Sequence, residues 1–169
     1  MNKFILISII FSAISIANCN NNNYILRPVY SSNVITDNGD SIRIKIYKDN
    51  YNNLLVNLED THGFLLGSVG LGNSDLVQSD TLIKKYKLNG DKINDYVINT
   101  YVRGSTYGAE NLIIIWWSGE IWKITAIGDY GRQIIADRNN DGIYEIVMYL
   151  SDKKERIVNF KNGCLKAWK

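Results

Sequence analysis

Histidine, cysteine and proline are nearly absent from this sequence, and the scarcity of the first two limits its chemistry. The 169 residues include one histidine, two cysteines and one proline. A Ser-His-Asp triad could form only around His62, and no GxSxG segment supplies a nucleophile for it. The two cysteines lie far apart and form no metal-cluster or redox motif. The sequence therefore predicts a protein that is not an enzyme.

Long apolar runs and a large excess of one charge are also missing. The formal net charge is +2 at pH 7, and because there is no basic stripe we expect no nucleic-acid partner. Beyond residues 4–16, no apolar run approaches the roughly 20 residues that a membrane-spanning helix requires. The chain that follows is long enough for one domain with its own core.

The N-terminus has the pattern of an export signal. Lys3 precedes the apolar stretch over residues 4–16, which ends in the small-residue pattern Ser15-Ile16-Ala17. This arrangement is typical of a secretory signal peptide. We therefore predict an extracytoplasmic protein with a signal peptide over residues 1–18, an Asn-rich tether over 19–27 and a single β domain over 28–169.

Two fates are open for Cys19. The segment Ile16-Ala17-Asn18-Cys19 resembles a bacterial lipobox, in which the cysteine is acylated and tethers the mature protein to a membrane. Alternatively, cleavage after Ala17 leaves Cys19 near one end of the chain and Cys164 near the other, and in an oxidising compartment two such cysteines would pair. The sequence thus predicts a periplasmic or cell-surface lipoprotein, or a secreted protein.

The apolar periodicity is that of β-strands. Residues 42–47, Ile-Arg-Ile-Lys-Ile-Tyr, place three isoleucines on one face, which is typical of a half-buried strand. Short connections such as residues 118–120 favour antiparallel neighbours. We predict an all-β fold, an antiparallel meander of about ten to twelve strands in propeller-blade-like units, open or sandwiched. The predicted strands cover residues 42–47, 54–58, 63–69, 93–102, 112–117, 121–127, 132–136, 143–150, 155–160 and 164–168; residues 74–86 fit a helix and a strand equally.

The tryptophans allow two interpretations. Residues 112–117 are apolar on both faces, which favours a central strand covered on each side. Core packing is the simpler account of Trp116, Trp117 and Trp122, because at least one of two adjacent strand tryptophans must point inward. One that stayed exposed would be a candidate surface contact, for example with a sugar ring.

The residues that carry most chemistry are Asp137-Arg138-Asn139-Asn140-Asp141-Gly142-Ile143-Tyr144-Glu145. Oxygen-bearing side chains occupy positions one, three and five, followed by a glycine. Ca²⁺ takes about six to eight oxygen ligands, so Asp137, Asn139, Asp141, the Ile143 carbonyl and Glu145 are candidate ligands for one ion. An EF-hand is excluded because its twelfth position would be Met148. The alternative is a metal-free Asp-Gly hairpin turn.

A degenerate copy of this loop begins 50 residues upstream, at Lys87. Asn89, Asp91 and Asp95 match its positions three, five and nine. Lys87 and Lys92 balance the two acids there, and an ammonium group cannot be a ligand. We therefore predict repeat-like units near residues 87–136 and 137–169, with metal only in the loop from Asp137 to Glu145.

The pattern D-x-[DN]-x-D-G-x-x-[DE] followed by an aliphatic strand resembles the FG-GAP/VCBS-type repeats. It matches closely from Asp137 to Glu145 and partially from Asn89 to Asp95. Known members form propeller blades with calcium in the loop between strands, so the resemblance implies the same arrangement here. The FG and GAP signature peptides are not evident. Two or three units cannot close a ring, which takes at least about four blades, so the resemblance implies an open or sandwiched relative.

Three functions follow as hypotheses. The first is a non-enzymatic exported β-domain that binds one structural calcium ion and another macromolecule, a protein or a glycan. The second is a periplasmic inhibitor or immunity protein against a toxin or hydrolase, which small size and export would suit. The third is a carbohydrate-binding module, which requires an exposed Trp116, Trp117 or Trp122 near a cleft.

Overall fold

The computed structural model describes residues 25–77, 81–105, 108–128, 131–149, 154–161 and 164–167. The predicted signal peptide, most of the tether and Cys19 lie outside these ranges. Within them, no helix is long and apolar enough to cross a membrane. The strands are β1 (Arg27–Ile35), β2 (Ser41–Lys48), β3 (Leu54–Glu59), β4 (Leu65–Leu71), β5 (Ser74–Leu76), β6 (Ile83–Tyr86), β7 (Asp95–Val102), β8 (Glu110–Trp117), β9 (Trp122–Gly128), β10 (Arg132–Ala136), β11 (Glu145–Tyr149), β12 (Glu155–Lys161) and β13 (Cys164–Ala167).

The strands form three antiparallel sheets in chain order. Sheet 1 has the order β1-β2-β3-β4, sheet 2 has β5-β7-β8-β9 with β6 also paired to β7, and sheet 3 has β10-β11-β12-β13. Because β5 pairs with Thr100–Val102 and β6 with Asp95–Ile98, these two short strands form one interrupted row along β7. Each sheet is thus a four-row meander. The predicted all-β fold of blade-like antiparallel units is confirmed.

The three sheets pack face to face, with sheet 2 in the middle. One cluster of buried side chains joins sheets 1 and 2, and a second joins sheets 2 and 3. Strand β8 belongs to both clusters, because Ile113 and Ile115 point into the first and Ile114 into the second, with all three fully buried. The prediction of a central strand covered on each side is therefore confirmed. The largest contributors to the first cluster are Ile42, Ile44, Ile46, Leu54, Leu58, Tyr96 and Ile98, and to the second Leu88, Leu112, Ile146 and Phe160.

Gly67 explains how sheets 1 and 2 approach so closely along β4 and β9. A Cβ at this position would lie 2.8 Å from Cγ2 of Ile124, a distance that real Cβ atoms do not adopt. The glycine therefore serves packing between the layers. Substitution by alanine would force strand β4 away from β9.

The structure adds three strands to the sequence-based prediction, namely β1 and the two short strands β5 and β6. Strand β1 was not predicted, because most of its side chains are exposed and its apolar alternation is weak. Pro28 lies within it, which an edge strand tolerates, next to a register shift between Pro28 and Tyr30. The ambiguous residues 74–86 contain β5 and β6, with residues 78–80 outside the described ranges. In each sheet, the first row of strands precedes the loop in sequence. The structural units therefore start earlier in the chain than the predicted repeat boundaries at 87 and 137.

Candidate functional site

The loop from Asp137 to Glu145 connects the first two strands of sheet 3. Its side-chain oxygens turn inward onto the loop's own amides. The amide of Asp141 lies 3.2 Å from Oδ1 of Asp137 and 3.1 Å from Oδ1 of Asn139. The amide of Gly142 donates to Oδ2 of Asp137 at 2.9 Å, and that of Ile143 donates to Oδ1 of Asp141 at 2.7 Å. The oxygens at positions one and three therefore converge on a single backbone nitrogen.

The ninth position of the loop is anchored in the fold. Glu145 is 2% exposed, and its Oε2 accepts a hydrogen bond of 2.9 Å from the amide of Arg138. The guanidinium of Arg138 points instead to Glu155, with Nη2 and Oε2 2.5 Å apart. The only cation of the loop is thus held outside it. The charged side chains that remain within the loop are those of the three acids, Asp137, Asp141 and Glu145.

The acidic side chains of the described residues do not gather into a metal-binding group of their own. In the part of the chain that the structure describes, no group of three or more His, Cys, Asp or Glu side chains is placed to hold a metal ion. A site in the loop from Asp137 to Glu145 therefore depends on neutral oxygens as well, namely the amide of Asn139 and main-chain carbonyls. Such mixed oxygen sets suit Ca²⁺, which accepts carbonyl, amide and carboxylate ligands.

The upstream loop repeats these hydrogen bonds position by position. Nδ2 of Asn89 donates to Oδ2 of Asp91 at 2.8 Å, matching the 2.9 Å bond from Asn139 to Asp141. The amide of Leu88 donates to Oδ2 of Asp95 at 2.9 Å, as that of Arg138 does to Glu145. The central residues Gly90 and Asn140 both have positive φ, 76° and 58°. The two loops thus share their local hydrogen bonds at positions two, three, five and nine.

A third copy lies between β1 and β2, at Asn38-Gly39-Asp40, and sequence reasoning missed it. Nδ2 of Asn38 donates to Oδ2 of Asp40 at 2.7 Å, and Gly39 has φ 84°. The signal available in the sequence was the triplet Asn-x-Asp at 38, 89 and 139, spaced 51 and 50 residues apart, although the same triplet also occurs outside this spacing at 73. This copy enters its second strand directly at Ser41 and lacks positions six to nine. It could not have been found from the nine-residue pattern.

The three loops are numbered here in chain order: the first covers residues 37–40, the second 87–95 and the third 137–145. They lie side by side at one end of the stack. The amide of Asn94 in the second loop donates to Oδ2 of Asp37 in the first at 3.0 Å. The amide of Tyr144 in the third loop donates to the carbonyl of Lys87 in the second at 2.8 Å. Asn94 and Tyr144 both occupy position eight. The same loop position therefore links each unit to the one before it.

Asp95 is the most perturbed acid at this end. It is 1% exposed, and its Oδ1 is buried without a hydrogen-bond partner. Burial raises the pKa of Asp95 to about 7; the hydrogen bond from Leu88 opposes this shift and the charge of Asp91 adds to it. The adjacent Tyr96 has a pKa raised to about 12, again mainly by burial. Of these two groups, only Asp95 would change its charge near neutral pH.

Trp116, Trp117, Trp122 and His62 lie in ordinary structural positions. Trp116 and Trp122 are 7% and 2% exposed, and the half-buried Trp117 has its ring centroid 5.5 Å from that of Trp122. The first two are core residues and offer no stacking face to a sugar. His62 is exposed in the β3–β4 turn, where its amide donates to Asp60 Oδ1 at 2.8 Å. Cys164 is exposed at the start of β13.

Searches of protein-family models, of curated proteins and of solved structures find no match to this chain.

Proposed function

We propose that this is a non-enzymatic, exported β-domain that holds one structural calcium ion in the loop from Asp137 to Glu145 and binds another macromolecule. The observation that carries the proposal is the convergence of Asp137 and Asn139 oxygens on the amide of Asp141. It places two of the required oxygens beside each other. The resemblance to FG-GAP/VCBS-type loops supports the same ion.

Charge distinguishes the third loop from the second, although their hydrogen bonds match. Position one is Asp137 in the third loop and Lys87 in the second, and position six is Gly142 against Lys92. An ammonium group cannot be a metal ligand, and two of them in the second loop would repel a divalent cation. One ion per chain is therefore proposed, in the third loop only.

The exposed tips of the loops support binding to a macromolecule. Asn38, Asp40, Asp91, Asn139 and Asp141 lie at one end of the stack, in loops that are linked to one another by hydrogen bonds. Loops on a rigid scaffold are the usual place for binding residues. Calcium would fix the third loop in the shape that such a partner contacts. The partner is proposed to be a protein or a glycan outside the cytoplasm, which agrees with the predicted signal peptide.

Chelation should destabilise the protein through this loop. At a calcium concentration 100 times the dissociation constant, binding adds about 2.7 kcal/mol to the free energy of unfolding. We therefore expect a chelator to lower the melting temperature by about 5–10 °C. Asp141→Ala should abolish the response, because it removes the ligand at position five. The measurement is thermal denaturation of the mature protein with calcium and with excess chelator.

Asp91→Ala is the matched control, because Asp91 occupies position five of the second loop and makes the same local hydrogen bonds. This variant should respond to chelator as the wild type does. A wild type that melts at the same temperature with and without calcium would refute the proposal. If Asp91→Ala loses the response to chelator, the ion binds in the second loop and the proposed assignment to the third loop is wrong.

A further inference from the structure

A cleft opens between sheets 1 and 2 at the end of the stack opposite to the three loops. Strand β2 begins next to the first loop and ends at Lys48, and β7 begins at Asp95 and leads to Arg103. The cleft has a volume of about 340 Å³. Its walls are formed by Val29, Lys48, Leu54, Asp75, Leu76, Tyr101 and Arg103.

Two cations meet one carboxylate at the floor of this cleft. Nζ of Lys48 contacts Oδ1 of Asp75, and Nε of Arg103 contacts Oδ2. The hydroxyl of Tyr101 also donates to Oδ2 of Asp75 at 3.3 Å. Burial raises the pKa of Asp75, but the hydrogen bonds from Lys48 and Arg103 outweigh it and hold the pKa below 3.8. Asp75 therefore stays ionised and fixes both cations in place.

The positive charge in this cleft exceeds the negative charge of Asp75. Lys48, Arg103 and Asp75 together carry one net positive charge, and Arg27 lies opposite Lys48 in the β1–β2 ladder. Another acid on this edge, Asp49, accepts bonds of 2.8 Å from the amides of Tyr51 and Asn53 within its own turn. The lining thus holds positive charge beside apolar walls.

Arg103 is the cation of the cleft that is best placed to bind an anion. Its side chain is 47% exposed, and only Nε is bonded to Asp75, whereas a guanidinium carries five donors in a planar fork. That bond does not use the four N–H groups of the terminal nitrogens, although the Arg103 side chain also interacts with the hydroxyl of Tyr101. Guanidinium forks match the geometry of carboxylate and of tetrahedral oxyanions. Asp75 acts here as the residue that positions the fork.

We propose that this cleft is a binding site for an anionic group, a carboxylate or a sulfate- or phosphate-type oxyanion, with Arg103 and Lys48 as the cations that hold it. The apolar side chains Val29, Leu54 and Leu76 line the cleft beside these cations. This site is separate from the calcium loop and does not depend on it.

The test is an NMR titration of the mature protein with sodium sulfate, replacing sodium chloride so that ionic strength stays constant and calcium is held fixed. We expect the Arg103 side-chain Nε–H and nearby backbone amides to shift and saturate in the millimolar range. Arg103→Gln should weaken the apparent affinity about tenfold, the typical effect of losing one charge-assisted hydrogen bond. A parallel titration with acetate distinguishes the carboxylate from the tetrahedral oxyanion, and saturation by either supports the site.

Arg43→Gln is the matched control, because it removes the same charge from the outer face of sheet 1, where Arg43 bonds Asn33 at 2.9 Å. It should bind sulfate as the wild type does. Lys48→Gln provides a second variant of the cleft should Arg103→Gln fail to fold. Shifts that rise linearly without saturation for both anions, or equal affinity in wild type and the two cleft variants, would overturn the proposal.

Discussion

Asp95→Asn should stabilise the protein at pH 8 by up to about 4 kcal/mol while leaving its stability at pH 4 nearly unchanged. The folded state raises the pKa of Asp95 from 3.8 to about 7. The stability associated with the protonated carboxyl is therefore fully present below pH 4 and is lost as the pH rises through 7. Asparagine has no charge to bury, so it does not suffer this loss.

The variant is close in shape to the protonated acid. Its Oδ1 can still accept the hydrogen bond from Leu88, and its amide nitrogen takes the place of Oδ1 of Asp95, which has no partner. Urea denaturation of both proteins between pH 4 and 8.5 measures the difference. Asp91→Asn, at the exposed tip of the same loop, should change the curve much less. A constant difference between wild type and Asp95→Asn at all pH values would show that Asp95 does not titrate with folding.

Ile113→Ala and Ile114→Ala should each lower the free energy of unfolding by about 2–5 kcal/mol, the usual cost of truncating a buried isoleucine. Both side chains are fully buried, but Ile113 packs toward sheet 1 and Ile114 toward sheet 3. Because strand β8 belongs to both interfaces, each substitution should shift one common unfolding transition. Urea denaturation monitored by tryptophan fluorescence and by circular dichroism tests this.

Ile35→Ala is the control for these variants, because Ile35 is 75% exposed at the end of β1. Its effect should stay within about 0.5 kcal/mol, as for most surface substitutions. If Ile113→Ala or Ile114→Ala cost as little as Ile35→Ala, sheet 2 would not be the central layer. If the two probes gave separate transitions, the sheets would not unfold as one unit.

The strands that sequence alone predicts best are those whose side chains are sorted by burial. The run Leu112 to Trp117 contains no polar residue, which only a strand covered on both faces explains, and β8 has that place. Strand β2 alternates between buried and half-buried positions as its isoleucines indicate. Strand β1 has the weakest signal, because an edge strand with one exposed face needs few apolar residues.

The candidate site was only partly predictable, for a different reason. The nine-residue spacing identifies the third loop and its degenerate copy, because ligand order is written along the chain. The contacts that join the loops, such as Asn94 to Asp37, lie between residues 57 positions apart and leave no local pattern. The cleft at Arg103 likewise brings together Lys48 and Asp75 from different sheets, which only the packed layers place in contact.

The most direct test of the account is the number of calcium ions bound per chain, measured by equilibrium dialysis of the mature protein. Exported modules bind with dissociation constants of about 10⁻⁴–10⁻³ M, so dialysis must extend to several millimolar calcium. The account predicts one ion for the wild type, one for Asp91→Ala and none for Asp141→Ala. No bound calcium in the wild type, or an ion that persists in Asp141→Ala, would contradict it.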